Sequence, residues 1–214
     1  MRPLYVAFEG VKGCGKSTVI RGVREALSAR GLAVNEVGPT HAAPCWSPLE
    51  LLARVPAMRR QDAFEERLYR ARARFHGRRL QRVRGGVVLG DRSILTPVVT
   101  RWHRAEEVGP NAWIERCIRG APELRPPDAV LWLDLPPAVA ALRCRSRGRT
   151  YGQHDEQLAA LTRTREVYEH LMRCPYPALR DVHWTRLDAK CEPHAVTRAA
   201  LSALEPLIAG LSHE

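Results

Sequence analysis

The chain has 214 residues, 45% of them hydrophobic and 6% aromatic, with a formal charge of +11 at pH 7. That length suits a single domain over residues 1–214 with a full core. No apolar run approaches the roughly 20 residues of a membrane helix and no signal-peptide pattern opens the chain, so a cytoplasmic protein without a membrane partner is expected.

Of the 34 basic residues only Lys12, Lys16 and Lys190 are lysine. An arginine excess of this size attracts anions, whether nucleotide, nucleic acid or a membrane surface, or is simply a solvated surface. The cysteines at 14, 45, 117, 144, 174 and 191 form no CxxC pair and no metal spacing, so neither disulfides nor zinc are expected.

Taken in chain order, Leu4 to Phe8 is an apolar run that reads as a buried strand. Ser17 to Arg30 carries Val19, Ile20, Val23 and Leu27 at helical spacing, and Gly31 ends the helix. Leu32 to Val37 reads as the second strand, residues 41 to 48 as loop, and about Arg60 to Arg84 as a long polar helix. Val87-Val88-Leu89 forms the next strand and delivers Asp91-Arg92-Ser93 at its carboxyl end. Helical stretches follow to about His103 and around Asn111 to Ile118. Ala129 to Leu133 is a strand, Pro136-Pro137 starts a helix, and Arg143 to His154 reads as a mobile arginine- and glycine-rich segment. A helix from Asp155 to Met172, a strand from Val182 to Leu187 and a helix from about Pro193 complete the series. Short apolar strands alternating with helices predict a parallel sheet covered on both faces.

The stretch Gly10-Val11-Lys12-Gly13-Cys14-Gly15-Lys16-Ser17, followed by Thr18, fits the GxxxxGK[ST] pattern between a strand and a helix. Glycines let the main chain fold around phosphates with its N–H groups inward, and the helix that follows adds its positive end. Lys16 is then placed for the β- and γ-phosphates and Ser17 for Mg²⁺. Cys14, in the same loop, is open to oxidation there.

Phosphoryl transfer needs positioning and charge neutralisation, so further cations and a metal-binding carboxylate are sought elsewhere. Asp91 can hold Mg²⁺ or accept a proton from an acceptor hydroxyl, and Arg92 offers a planar fork to an acceptor phosphate. Arg143, Arg145, Arg147 and Arg149 recur at every second residue, a spacing that suits a flexible cap on triphosphate oxygens rather than one helical face.

These motifs resemble the thymidylate kinase family of nucleoside monophosphate kinases. Phe8-Glu9-Gly10 leading into Gly13-Cys14-Gly15-Lys16-Ser17-Thr18 resembles its opening, and Gly90-Asp91-Arg92-Ser93 with Thr96 resembles its Asp-Arg motif. Pro127-Asp128 through Leu133-Asp134-Leu135-Pro136-Pro137 resembles its fourth strand and lid approach, and Thr164-Arg165 to Tyr168 the helix after the lid. The resemblance implies a P-loop kinase fold with a five-stranded parallel sheet and an arginine-rich lid at about 143–154. It further implies ATP with Mg²⁺ as donor and a homodimer. Arg70 matches the family arginine that reaches the acceptor nucleotide, and Arg92 the one on its phosphate.

The departures gather on the acceptor side. Lys12 stands where the family has an acidic residue that contacts the acceptor sugar. Glu66 stands in place of the aromatic that stacks on thymine, a change worth about 1–3 kcal/mol of base recognition. Thr100 replaces an aromatic, its neighbour is Arg101, and Val37-Gly38-Pro39 replaces an Arg-Glu-Pro turn. Three readings follow: a kinase for dTMP or a related monophosphate, a kinase for a hydroxyl of a nucleoside, metabolite or modified DNA base, and a non-catalytic module binding nucleotide or nucleic acid. The last is disfavoured by the intact Lys16, Ser17 and Asp91.

Overall fold

The computed structural model describes residues 2–42, 48–59, 62–146 and 156–210. Strand β1 (Leu4–Glu9) runs into the phosphate loop, and helix α1 (Lys16–Ala29) leaves it. Then come β2 (Val34–Val37), the short helices α2 (Pro48–Leu52) and α3 (Pro56–Arg59), the long α4 (Asp62–Arg82) and β3 (Val87–Asp91). Helices α5 (Leu95–Thr100), α6 (His103–Val108) and α7 (Pro110–Gly120) precede β4 (Ala129–Asp134) and α8 (Pro137–Ser146). Helix α9 (Leu158–Arg173), β5 (His183–Asp188) and α10 (Pro193–Ala209) close the order.

The five strands pair in the order β2-β3-β1-β4-β5, all parallel. Alternation along β1 explains why both faces need cover. Leu4, Val6 and Phe8 pack with Val19, Val23 and Leu27 of α1 and with Leu204 of α10. Tyr5 points the other way, towards Leu80 of α4, and Ala7 towards Leu95 of α5 and Tyr168 of α9. The result is the sandwich of helices around a parallel sheet that the apolar runs implied. Among the described residues no helix is long and apolar enough to cross a membrane.

Boundaries shift where local chemistry intervenes. Gly31 takes φ 80°, and Leu32 bonds back to Leu27 O at 3.2 Å, so β2 starts only at Val34. The stretch to about His103 is two helices, α5 and α6, with Trp102 between them. Arg143 to Ser146 form the last turn of α8 rather than a mobile segment, because Cys144 is buried and anchors the turn. Arg147, Arg149 and the rest of the segment to His154 lie outside the described residues.

Candidate active site

Parallel strands ending side by side place the phosphate loop, Asp91 and Asp134 at the carboxyl end of the three central strands. The loop needs its glycines. Gly10, Gly13 and Gly15 take φ of 140°, 83° and 94°, which a side chain resists. A Cβ on Gly10 would lie 2.5 Å from Leu133 O, and one on Gly13 2.9 Å from Ala140 O. Gly15 then caps α1, with the Thr18 and Val19 amides bonded to its carbonyl at 3.1 and 3.2 Å.

Lys16 is buried, and its Nζ donates to Gly10 O and Val11 O, both at 3.1 Å, and to Cys14 Sγ at 3.4 Å. Burial lowers its pKa, helped by Arg92 and opposed by Cys14, Asp91 and Glu9. Val11 and Cys14 face the core instead of the solvent side of the loop. A basin of about 370 Å³ opens above the loop, lined by Lys12, Lys16, Ser17, His41, Asp91 and Arg92 among others. Thr18 and Cys144 also border it.

Ser17 Oγ donates to Asp91 Oδ2 at 3.4 Å, and His41 Nε2 stands 3.4 Å from the same oxygen. Burial raises the Asp91 pKa, but His41, Lys16 and Arg92 outweigh it and hold the carboxyl below its ordinary value. Ser17 and Asp91 thus form the hard, oxygen-only donor pair that a magnesium ion prefers. Arg92 sits at φ 78°, pinned by its amide to Phe8 O at 3.1 Å. Burial works against its charge, yet Tyr168, Glu9, Tyr69 and Asp91 raise its pKa overall, so it is a fixed cation.

Glu9 is fully buried, and its charge is felt by Arg92. Its carboxylate accepts from Ser93 Oγ at 2.7 Å, from Thr96 Oγ1 at 3.2 Å and from the Tyr168 hydroxyl at 2.6 Å. Thr96 borders neither cavity of the site: its hydroxyl holds Glu9. His41 and Glu9 are residues that spacing alone did not single out, because each acquires its role only through partners distant in the chain.

A second cavity, beside α4 and α7, is narrow. Glu66, Tyr69, Arg70, Arg101, Trp113 and Arg116 line a cavity of only about 20 Å³. Glu66 is bonded to Arg70 one turn on, and Arg116 lies 3.8 Å from it. Arg101 is buried, its guanidinium 4.8 Å from the Tyr69 ring centre and 3.4 Å from Glu65. Tyr69, three residues after Glu66, brings to this cavity an aromatic ring that spacing did not assign. Burial pushes the Cys117 thiol, on the same wall, up to about 12 against the pull of Arg101.

The remaining arginines divide. Arg143 donates to Ala189 O at 3.2 Å, beside the turn that follows β5, and Arg145 is exposed on α8, next to the basin-lining Cys144. Lys12 borders the basin with its Nζ 3.9 Å from Glu156, just before α9.

The sequence profile described as thymidylate kinase matches residues 8–180. A thymidylate kinase of Leptospira borgpetersenii is 27% identical over 173 residues, covering 80% of this chain and 82% of its own. One of Albidiferax ferrireducens is 33% identical over 151 residues, covering 65% and 68%. One of Acinetobacter baylyi is 28% identical over 211 residues, covering 96% and 100%. With its phosphate loop, its Asp91-Arg92 pair and this match over most of its length, the chain belongs to the thymidylate kinase family.

Proposed function

We propose that the protein transfers the γ-phosphoryl group of ATP to dTMP or a related nucleoside monophosphate, acting as a single-domain kinase and a homodimer in the cytoplasm. The carrying observation is Arg92, a cation locked beside Asp91 and Lys16 on the basin wall. Such a fork suits an acceptor that already bears phosphate.

The loop amides and Lys16 hold the donor phosphates, and Ser17 with Asp91 is the donor pair for Mg²⁺. When bound, the metal neutralises charge on the β- and γ-phosphates. Arg92 steers a phosphate oxygen of the acceptor onto the γ-phosphorus. A bond forms there as the bond to the bridging β–γ oxygen breaks, and ADP leaves with that oxygen. Arg145, Arg147 and Arg149 are proposed to close on the transferring group, with Arg143 and Arg147 on the donor.

Glu66, Arg70 and Arg101 are assigned to the base side of the acceptor, with Lys12 nearer its sugar and phosphate, and Thr96 serves that side only through its bond to Glu9. A second reading, transfer to a hydroxyl, draws support from the narrow cavity at Glu66 and Arg70. ATP consumption across a panel of monophosphates, nucleosides and DNA decides between them. Turnover with nucleosides but with no monophosphate sinks the first reading.

A further inference from the structure

A second groove, of about 460 Å³, runs from the basin around the carboxyl end of β2 and between α1 and α4. It shares Ser17, His41 and Asp91 with the basin, so the two are continuous. Arg21 of α1 and Arg79 of α4 flank it, and His76 lies in its wall. Among the described residues neither Arg21 nor Arg79 makes an ion pair, whereas Arg24 beside them is held by Glu36 at 3.0 Å.

His76 is only 5% exposed. The Gly38 amide donates to its Nδ1 at 3.4 Å, which makes Nδ1 the acceptor and leaves the proton on Nε2. That Nε2 is buried without a hydrogen-bond partner. Burial keeps the ring below its ordinary pKa, with Arg79, His41 and Arg72 acting the same way and the His41 main chain opposing them. A buried N–H left unmade costs about 1–3 kcal/mol, so it marks a place where a partner belongs. Gly38 is part of the arrangement. A Cβ there would lie 2.5 Å from His41 Nδ1 and push His41 off the junction between basin and groove.

Among the described residues Arg21 and Arg79 thus bring two guanidiniums without ion pairs to a groove that also carries the Glu36 and Asp91 carboxylates, with the buried Nε2 of His76 in its wall. We propose that this groove is a phosphate-binding subsite, separate from the loop and from Arg92, that takes a tetrahedral oxyanion. The phosphate arrives either free or as a second phosphate group on the acceptor nucleotide.

The test is calorimetric binding to the full-length protein saturated with ADP and Mg²⁺, so that the loop is filled. The probes are inorganic phosphate, thymidine 5′-monophosphate and thymidine 3′,5′-bisphosphate. Inorganic phosphate is expected to bind, and Arg21→Ala and Arg79→Ala each to weaken it about ten-fold, as loss of a charge-assisted bond does. ADP affinity should stay within about two-fold, since both arginines lie outside the loop. Bisphosphate binding tighter than monophosphate, with the gain lost in Arg79→Ala, assigns the phosphate to the acceptor. Equal binding of the two nucleotides, with inorganic phosphate still sensitive to both variants, assigns it to free phosphate. Absence of phosphate binding, or binding indifferent to both substitutions, overturns the subsite. None of these readouts needs turnover, so failure of the kinase reading leaves the result unambiguous.

Discussion

The Tyr168 hydroxyl donates to Glu9 Oε2 at 2.6 Å, tying helix α9 to the last residue of β1, 159 positions earlier. Both groups are fully buried. Through Glu9 the contact also supports Ser93 and Thr96, and so the backbone on which Arg92 is mounted. Tyr168→Phe removes a hydrogen bond to a buried charge and is expected to cost about 1.5–3 kcal/mol of stability. Urea unfolding at pH 7 measures this, and an unchanged midpoint rejects it. Acceptor KM should rise with the loss, because Glu9 holds Ser93, the residue after Arg92, and its charge is felt by Arg92.

Lys16→Ala should cut kcat by about 10²–10³-fold or more, the scale of losing one preorganised charge-stabilising donor. Circular dichroism should show the fold intact, since among the described residues the side chain bonds to loop carbonyls and Cys14 alone. Residual activity near the native rate would remove Lys16 from the reaction.

Arg92→Ala is expected to weaken acceptor binding by about 2–5 kcal/mol, the scale of truncating one partner of a buried charge pair. ATP affinity should change far less. Steady-state kinetics with each substrate varied in turn separates the two. An equal loss of both affinities would return Arg92 to the donor side.

Two glycines provide a matched pair. At Gly13 and at Gly86 φ is 83° and 70°, and an added Cβ would meet Ala140 O at 2.9 Å and Ala33 O at 2.3 Å. Each alanine variant should lose at least about 1–2 kcal/mol of stability from the backbone alone. Only Gly13→Ala should also weaken nucleotide binding, because Gly86 lies at the opposite end of β3 from Asp91. Titration with a fluorescent ATP analogue distinguishes them.

Acid sensitivity should concentrate at Asp134. Burial raises its pKa, but bonds from Arg165 at 2.6 Å and from Arg186 outweigh this and hold the group below 3.8. A depressed carboxyl adds stability above the unfolded value and loses it as pH falls through the folded one. Asp134→Asn should therefore lower the melting temperature at pH 7, by the equivalent of about 1.5–3 kcal/mol. The gap to the native chain should narrow as pH falls below about 3.8. A gap that is constant from pH 7 to pH 2.5 counts against the role.

Much of this was legible in the chain because local rules wrote it. Apolar runs of four to six residues, each followed by helical spacing, predict a parallel sheet. The phosphate loop is legible for the same reason, since its glycines answer a local backbone need. What escaped is non-local. Glu9 reads as one residue of an opening motif until Tyr168, Ser93 and Thr96 close on it. His41 sits in a stretch that reads only as loop, and its contact with Asp91 depends on how β2 and β3 align. Tyr69 was passed over because spacing pointed to Glu66, one position of the same helix, while the cavity collects both. Arginine repetition at 143 and 145 suggested a loop, yet the burial of Cys144 between them keeps that turn helical.

The contact of α8 with the phosphate loop has a mechanical consequence. At Gly13 the loop has no room to spare: a methyl group would strike Ala140 O, and Cys144 Sγ would be 3.1 Å away. Helix and loop therefore act as touching parts of one lever, joined by shape and not by charge. A shift of the loop at Gly13 should therefore be felt first at Ala140 and Cys144 of α8. An uncharged contact thus links the phosphate loop to the helix whose last turn carries Arg143 and Arg145.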